Sequence, residues 1–594
     1  MRFGQGCFAA RRIYVRRQQK FSPLVVFDLD KRKGLINVVV SIVFRLLLFV
    51  GGIFARRYLI QCVGNDANGL SSLYTSIIGF LAVAELGVGT AISYCMYKPI
   101  VEGNTEEVSA LYRLFTRLYL VIGGIILVGG CVLMPFLPYL VGDYQSVDFN
   151  LYITFGIMLV ATVLTYAYSS KTSLINAYKN NYVTTTITSV AQIVQYVLQI
   201  VVVILTRSFE AFLVCYVICA LLQWVMTEIY ARKKYMPVLK GSGSVGAETK
   251  KSIVRNVKGM FMHKAGSALV NASDSIIISA FIGSEILGKY SNYTIIMTNM
   301  TSVITLFFTP LTAIIGHLCV RDDREEIQRY FNFFYAFNFM LAVVFFLGYY
   351  GIIDNLVTIF FEDPADPQGL VMDKSVSIIV TINYLLQFMR QATLLFRDAT
   401  GTFYYDRWKP VIEGVLNVAL SIGFAYLFGR AFGEEYELIG IIAATIVTNL
   451  AICHTVEPFV LFKYALRASA KKFFIKNYAC IAVFGLALLA LHFSMQSFEN
   501  EWVELVVNGF ISVGISSVIV IGMFFADKDF RHYVLRIFTR VKAKLKGSSD
   551  YSFRNDEKGE IYLGCKACYY CRRADAKCVG AAVFCRFFCA RCVI

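Results

Sequence analysis

The sequence predicts an all-α polytopic membrane protein of about 14 transmembrane helices, set out as two blocks of six with two more at the C-terminal end. Three observations carry that prediction. Hydrophobic residues make up 57% of the 594 and charged residues only 16%, with a mean hydropathy of +0.60, a balance that makes lipid the main solvent. Apolar runs of the roughly 20 residues needed to cross about 30 Å of hydrocarbon follow one another from Leu35 to Phe525. The connections between them alternate in charge.

A basic segment over 1–34 comes first and lacks an apolar stretch ending in a small-residue cleavage site, so the first span is expected to drive insertion. The first block, 35–230, holds spans over Leu35 to Ala55, Ser71 to Met96, Leu118 to Val141, Leu151 to Ser169, Thr184 to Thr206 and Ala211 to Tyr230. A basic linker follows over 231–256. The second block, 257–464, holds Val257 to Ile282, Tyr290 to Val320, Phe331 to Ile353, Val376 to Phe396, Trp408 to Gly429 and Leu438 to Tyr464. Two extra spans, Tyr478 to Phe493 and Val503 to Phe525, lie within 465–525, and a basic, then cysteine-rich tail without fixed structure is expected over 526–594.

Lys and Arg collect in cytoplasmic loops. With the N-terminus inside, the even-numbered loops should be basic, and Arg232, Lys233, Lys234, Lys240, Lys250, Lys251 and Arg255 crowd one, Lys463, Arg467, Lys471, Lys472 and Lys476 another. An odd-numbered loop carries Asp354, Glu362, Asp363, Asp366 and Asp373 instead. Both termini are therefore expected in the cytoplasm, and the net charge of +17 reads as topology, with no nucleic-acid partner.

One internal offset stands out. Adding 219 (283 minus 64) carries Gly64, Gly69, Ser72, Tyr74, Thr75 and Ile77 onto Gly283, Gly288, Ser291, Tyr293, Thr294 and Ile296, and Glu106, Glu107 and Phe115 onto Glu325, Glu326 and Phe334. Each block holds an even number of spans, so two copies of one bundle would share an orientation, with the substrate site between them.

Ionisable side chains inside a bilayer are costly and mark functional positions by default. Arg45 falls mid-span on one helical face with Asn37 and Ser41. Lys264, Ser267, Asn271 and Asp274 share a face of the seventh span, Glu85 lies in the second, and Asn383, Gln387, Arg390 and Gln391 mark the tenth. Static alternatives exist for each: Arg45 could pair with Glu85 or Asp274, Lys264 and Arg390 could reach the interface, and Gln192, Gln195 and Gln199 in the fifth span could bond between helices. Catalysis is disfavoured. The five histidines show no metal-ligand spacing, no GxxxxGK[ST] loop is present, and no large external loop could house a catalytic domain. Of the sixteen cysteines, seven cluster between Cys565 and Cys592 in spacings that match no zinc module, so neither a metal nor a cofactor is assigned.

The stretch His263-Lys264-Ala265-Gly266 through Asp274-Ser275-Ile276-Ile277-Ile278-Ser279 to Gly283 resembles the seventh span of Wzx-type oligosaccharide flippases of the multidrug/oligosaccharidyl-lipid/polysaccharide exporter superfamily. Gly64 to Tyr74, Glu85-Leu86-Gly87-Val88-Gly89, and Tyr405-Asp406-Arg407-Trp408-Lys409-Pro410 with Glu413 and Asn417 are similar to the same family. The resemblance covers roughly Lys31 to Phe525. It implies two six-helix lobes forming a V around a central cavity, plus two C-terminal helices. It also implies export of undecaprenyl-pyrophosphate-linked sugar units from the inner to the outer leaflet of a bacterial plasma membrane, for capsule, exopolysaccharide or O-antigen assembly.

On that reading Arg45 meets the pyrophosphate with Lys264 and Arg390 beside it, since guanidinium forks suit phosphate oxygens. Ser267, Asn271 and Gln387 take sugar hydroxyls, and Glu85 and Asp274 take a coupling proton or sodium ion. The expected partners are the lipid-linked oligosaccharide, membrane lipids and polysaccharide polymerase machinery, with the chain itself a monomer. A cation-coupled multidrug antiporter of the same fold would need an anionic, aromatic-lined cavity. A glycan polymerase or ligase would need a substantial basic external loop, and Asp354 to Lys374 is short and acidic.

Overall fold

Backbone groups in hydrocarbon must pair within their own segment, so long apolar runs become helices. The computed structural model describes residues 23–85, 88–142, 148–243, 245–246, 265–266, 268–270, 272–320, 324–361, 369–402, 405–545, 551–555 and 561–565. Up to residue 545 every regular element among them is helical.

The first lobe comprises α1 (Pro23–Val63), α2 (Asn65–Leu81), α3 (Val88–Glu102), α4 (Thr105–Leu133), α5 (Leu151–Ala177), α6 (Asn181–Thr206) and α7 (Phe209–Lys240). The second comprises α8 (Ala268–Phe281), α9 (Ser284–Val320), α10 (Arg324–Phe361), α11 (Lys374–Met389), α12 (Gln391–Thr400), α13 (Lys409–Phe432), α14 (Glu437–Thr448) and α15 (His454–Val460). The extra pair is α16 (Lys471–Ser494) and α17 (Glu501–Ala526).

Eleven helical segments among the described residues are long and apolar enough to cross a membrane. The three other spans read from sequence fall on α2 and α3, on α8, and on α9.

Several helices depart from straight rods. The second span breaks at a 3-10 turn, Ala82–Glu85, between α2 and α3. Helix α7 runs ten residues beyond Tyr230, into the stretch read as linker, because Ala231 to Tyr235 contains only helix-compatible residues; it kinks at Tyr235 (φ −122°) just before Pro237. The tenth span bends at Arg390 between α11 and α12. The twelfth carries π-helical turns at Asn449–Cys453 and Leu461–Leu466 on either side of α15, which contains Pro458.

In the first lobe α5 packs against α4 and α7, and α6 against α1 and α7. Gly51 and Gly52 let α1 approach the Tyr196 ring, which lies 2.9 Å from where a Cβ on Gly51 would stand. The second lobe pairs α13 with α14 and α10 with α11. Its core is aromatic: Phe331 meets Phe396 and Phe462 edge to face at 5.3 and 5.4 Å, the offset geometry aromatic quadrupoles favour.

The lobes join where α2 crosses α9. A Cβ on Gly69 would lie 1.9 Å from the Ser284 carbonyl oxygen, and one on Gly288 would lie 2.6 Å from that of Asn65. Because 284 minus 65 and 288 minus 69 both equal 219, each glycine meets the counterpart of the position its partner meets. Gly64 and Gly283, related by the same offset, share left-handed φ values of 117° and 122° ahead of these helices. Asn68 Nδ2 donates to the Gly288 carbonyl (3.0 Å) and Asn292 Oδ1 (3.1 Å), Ser284 Oγ to Asp66 Oδ1 (2.8 Å), and Arg56 Nη1 to Ser291 Oγ (2.8 Å). Nearby, Arg57 Nη1 reaches the Ile359 carbonyl (2.7 Å), and Gly142 N donates to Ser279 O (2.8 Å).

A second unit, residues 521–594, contains the basic helix α18 (Lys528–Leu545). Within the tail expected to lack fixed structure, β1 (Tyr551–Asn555) and β2 (Ile561–Cys565) pair antiparallel, with Tyr551 opposite Cys565. The cysteines from Cys568 onward lie outside the described residues.

Candidate functional site

Close helix contact in the second lobe places Asp274. A Cβ on Gly266 would lie 2.3 Å from the Pro410 carbonyl oxygen, and one on Gly414 would lie 2.8 Å from Leu269, so α13 lies tight against the α8 segment. Ser273 Oγ then donates to Asn417 Oδ1 (2.9 Å), Asn417 Nδ2 to Thr445 Oγ1 (2.9 Å), and Thr445 Oγ1 to Asp274 Oδ1 (3.1 Å). Three helices thus converge on one half-buried carboxylate. Ser421 Oγ and Asn449 Oδ1, each four residues from a member of this chain, are buried without a hydrogen-bond partner among the described residues.

At the N-terminal end of α13 a charge cluster ties that helix to α15 and to the bend between α11 and α12. Arg390 grips Glu457 through Nη2 (2.5 Å) and Nε (3.1 Å), and Lys409 Nζ lies 2.6 Å from Glu457 Oε1 and 2.7 Å from Glu413 Oε2. Cys453 Sγ donates to Glu413 Oε1 at 2.9 Å. Two cations face two carboxylates, so this cluster is balanced. Arg397 pairs separately with buried Asp406 at 3.1 Å. One turn before Arg390, Gln387 Nε2 donates to Asn383 Oδ1 (3.2 Å).

The first lobe is different. Glu85 ends the 3-10 turn and accepts a hydrogen bond from Tyr166 OH at 2.9 Å. Arg45 is exposed on α1 and makes no ion pair or hydrogen bond among the described residues. The static pairs considered for it are not formed: Glu85 bonds to Tyr166 and Asp274 to Thr445.

The profile of the family described as polysaccharide biosynthesis protein matches residues 66–364, just over half of the chain. The chain belongs to that family. Its fold is that of the multidrug/oligosaccharidyl-lipid/polysaccharide exporter superfamily, to which the Wzx-type resemblance also pointed. The structure is similar to lipid II flippase MurJ in an inward closed conformation, with a TM-score of 0.56 and 13% identity, over 83% of this chain and 99% of that one. An inward-facing multidrug resistance MATE family transporter gives 0.55 and 14%, over 70% and 96%. A transporter of the same superfamily from Pyrococcus furiosus gives 0.50 and 12%, over 74% and 97%. No curated protein matches the chain.

In this polysaccharide biosynthesis protein the residues singled out from sequence are not gathered in one place. Asp274 and Arg390 belong to separate networks in the second lobe, while Glu85 and Arg45 belong to the first. Lys264, Ser267 and Asn271 lie outside the described residues. Sequence reasoning passed over Glu457, which is wholly buried in an apolar span, and gave no role to Thr445 or Lys409. The spacing of four between Lys409 and Glu413 was the available signal.

Proposed function

We propose that this protein is a flippase that carries undecaprenyl-pyrophosphate-linked oligosaccharide repeat units to the outer leaflet of a bacterial plasma membrane, acting as a transporter and not as an enzyme. The observation that carries the reading is a two-lobe exporter fold in a chain of the polysaccharide biosynthesis family. The cargo is a bulky polar head with a pyrophosphate, drawn past hydrocarbon while its polyprenyl tail stays in lipid. A cation without a protein counter-charge serves that head, and Arg45 has none among the described residues. Arg390, its charge already met by Glu457 and Glu413, fits a supporting role beside Gln387; Lys264, Ser267 and Asn271 complete the proposed set.

The positive-inside pattern puts both termini in the cytoplasm. The α2–α9 crossing then lies at the outer end, which favours entry from the cytoplasmic side and exchange by rocking of the two lobes. Asp274, which accepts from Thr445 Oγ1 at the end of the Ser273–Asn417–Thr445 chain, is the proposed seat of a coupling proton or sodium ion, and Glu85 a second.

Sealed proteoliposomes loaded with lipid-linked oligosaccharide test this. Wild type should move the head group across the membrane, and Arg45→Ala should lose most of that transport at matched protein content. Transport of organic cations alone would replace this reading with an antiporter. Asp274→Asn should leave transport insensitive to ion gradients; wild-type transport undiminished after collapse of gradients and potential would remove the coupling role.

A further inference from the structure

The first lobe contains a cavity of about 210 Å³ lined by α5, α6 and α7 near the middle of their spans. Its lining includes Thr162, Gln192, Gln195, Tyr196, Tyr216 and Gln223, and none of its lining residues is Asp, Glu, Lys or Arg. We propose that this cavity is a subsite for a single neutral sugar ring of the cargo, a role that rests on the flippase reading above.

The glutamines of α6 and α7 divide in a telling way. Gln199 donates to the Phe212 carbonyl at 3.5 Å and helps hold α6 to α7. Gln223 accepts from Tyr168 OH at 3.0 Å. These two serve the helix bundle, as membrane amides commonly do. Gln195 does not. It is only 5% exposed, it makes no hydrogen bond among the described residues, and it lines the cavity with Gln192 one turn away. A buried amide without a protein partner is costly unless something in the cavity bonds to it.

The chemistry of the lining selects the class of ligand. An amide both donates and accepts, as a sugar hydroxyl does, and tyrosine rings offer apolar faces to the C–H side of a pyranose. A pyrophosphate would need cations and an organic cation would need a carboxylate; the lining has neither. The volume falls below the roughly 300–1,000 Å³ typical of pockets that take drug-sized molecules, so it suits one ring and not a repeat unit.

The test uses the full chain in lipid nanodiscs and saturation-transfer NMR with the methyl glycosides of glucose, galactose and N-acetylglucosamine. Glucuronate and tetraphenylphosphonium serve as charged probes. At least one neutral glycoside should bind wild type with an affinity of millimolar order, and Gln195→Met should weaken it about five- to tenfold, the effect of one or two lost hydrogen bonds. Thr162→Val, a near-isosteric change on a different helix, should weaken it several-fold and covers the case in which Gln195→Met does not fold. Absence of neutral-glycoside binding to wild type would leave a water-filled structural cavity and overturn the proposal. Binding unchanged in both variants, or Gln195-dependent binding of a charged probe, would overturn it too. Lipid-linked transport that proceeds in wild type and is unaltered by Gln195→Met removes the subsite and leaves the flippase; glycoside binding without transport does the reverse.

Discussion

The two lobes place polar groups in the membrane in opposite ways. The second gathers full charges and cancels them: Arg390 and Lys409 share Glu457 and Glu413 in one buried knot. The first leaves Arg45 on α1 without a counter-charge among the described residues and lines its cavity with amides and hydroxyls. A cancelled knot fixes helices, because any member removed strands its partner in low dielectric. An open cation and a neutral cavity fix little and remain available to a ligand. The second lobe therefore reads as the more rigid frame, and under the proposed function the first is the surface that meets the cargo's head.

The largest effect should follow from breaking the knot. Glu457→Gln removes the carboxylate that both Arg390 and Lys409 contact, and loss of one partner from a buried pair costs about 3–5 kcal/mol. Denaturation of the purified variant in micelles should show it, and Glu457→Gln/Arg390→Met should recover part of the loss. Arg45→Ala should change stability by less than about 0.5 kcal/mol while transport falls. Equal destabilisation by the two single variants would end the contrast between the lobes.

The seam between them comes next. Gly69 and Gly288 each leave no room for a Cβ, so Gly69→Ala and Gly288→Ala should each cost about 1–3 kcal/mol of overpacking and widen the seam, read as longer spin-label distances across α2 and α9. Because the two glycines occupy matched positions, the effects should be similar. A large effect at one and none at the other would show that the matching is sequence deep only.

How much of this was legible beforehand follows from the range of each interaction. Spans could be read because hydropathy is a local property, and the 219-residue offset pointed to Gly69 and Gly288 as counterparts. That the two face each other was not readable, since an offset says nothing about where the relating axis passes. Asp274 and Arg390 stood out as ionisable residues in apolar runs. Their partners did not, because Thr445 lies 171 residues from Asp274 and Glu457 lies 67 from Arg390, and polar residues along a span give no helix order. The extension of α7 past Tyr230 was missed because the basic residues that mark a cytoplasmic loop are also good helix formers.

The smallest effect belongs to a helix end outside the spans. Asp373 caps α11, its Oδ1 accepting from Ser375 N at 2.7 Å, and hydrogen bonds from Ser375 hold its carboxyl below the usual aspartate range. A carboxyl depressed in the folded state adds stability above its unfolded value and loses it as pH falls through the folded one. Asp373→Ala should therefore cost about 1 kcal/mol at neutral pH, and wild type and variant should converge in acid. The first lobe offers the control: α5 is capped by the neutral side chain of Asn150, which accepts from Tyr152 N at 3.1 Å and Ile153 N at 3.3 Å, so Asn150→Ala should cost a similar amount at every pH. A pH-dependent loss at Asn150 would mean that acid acts through some other group, and the difference between the caps would then carry no information about Asp373.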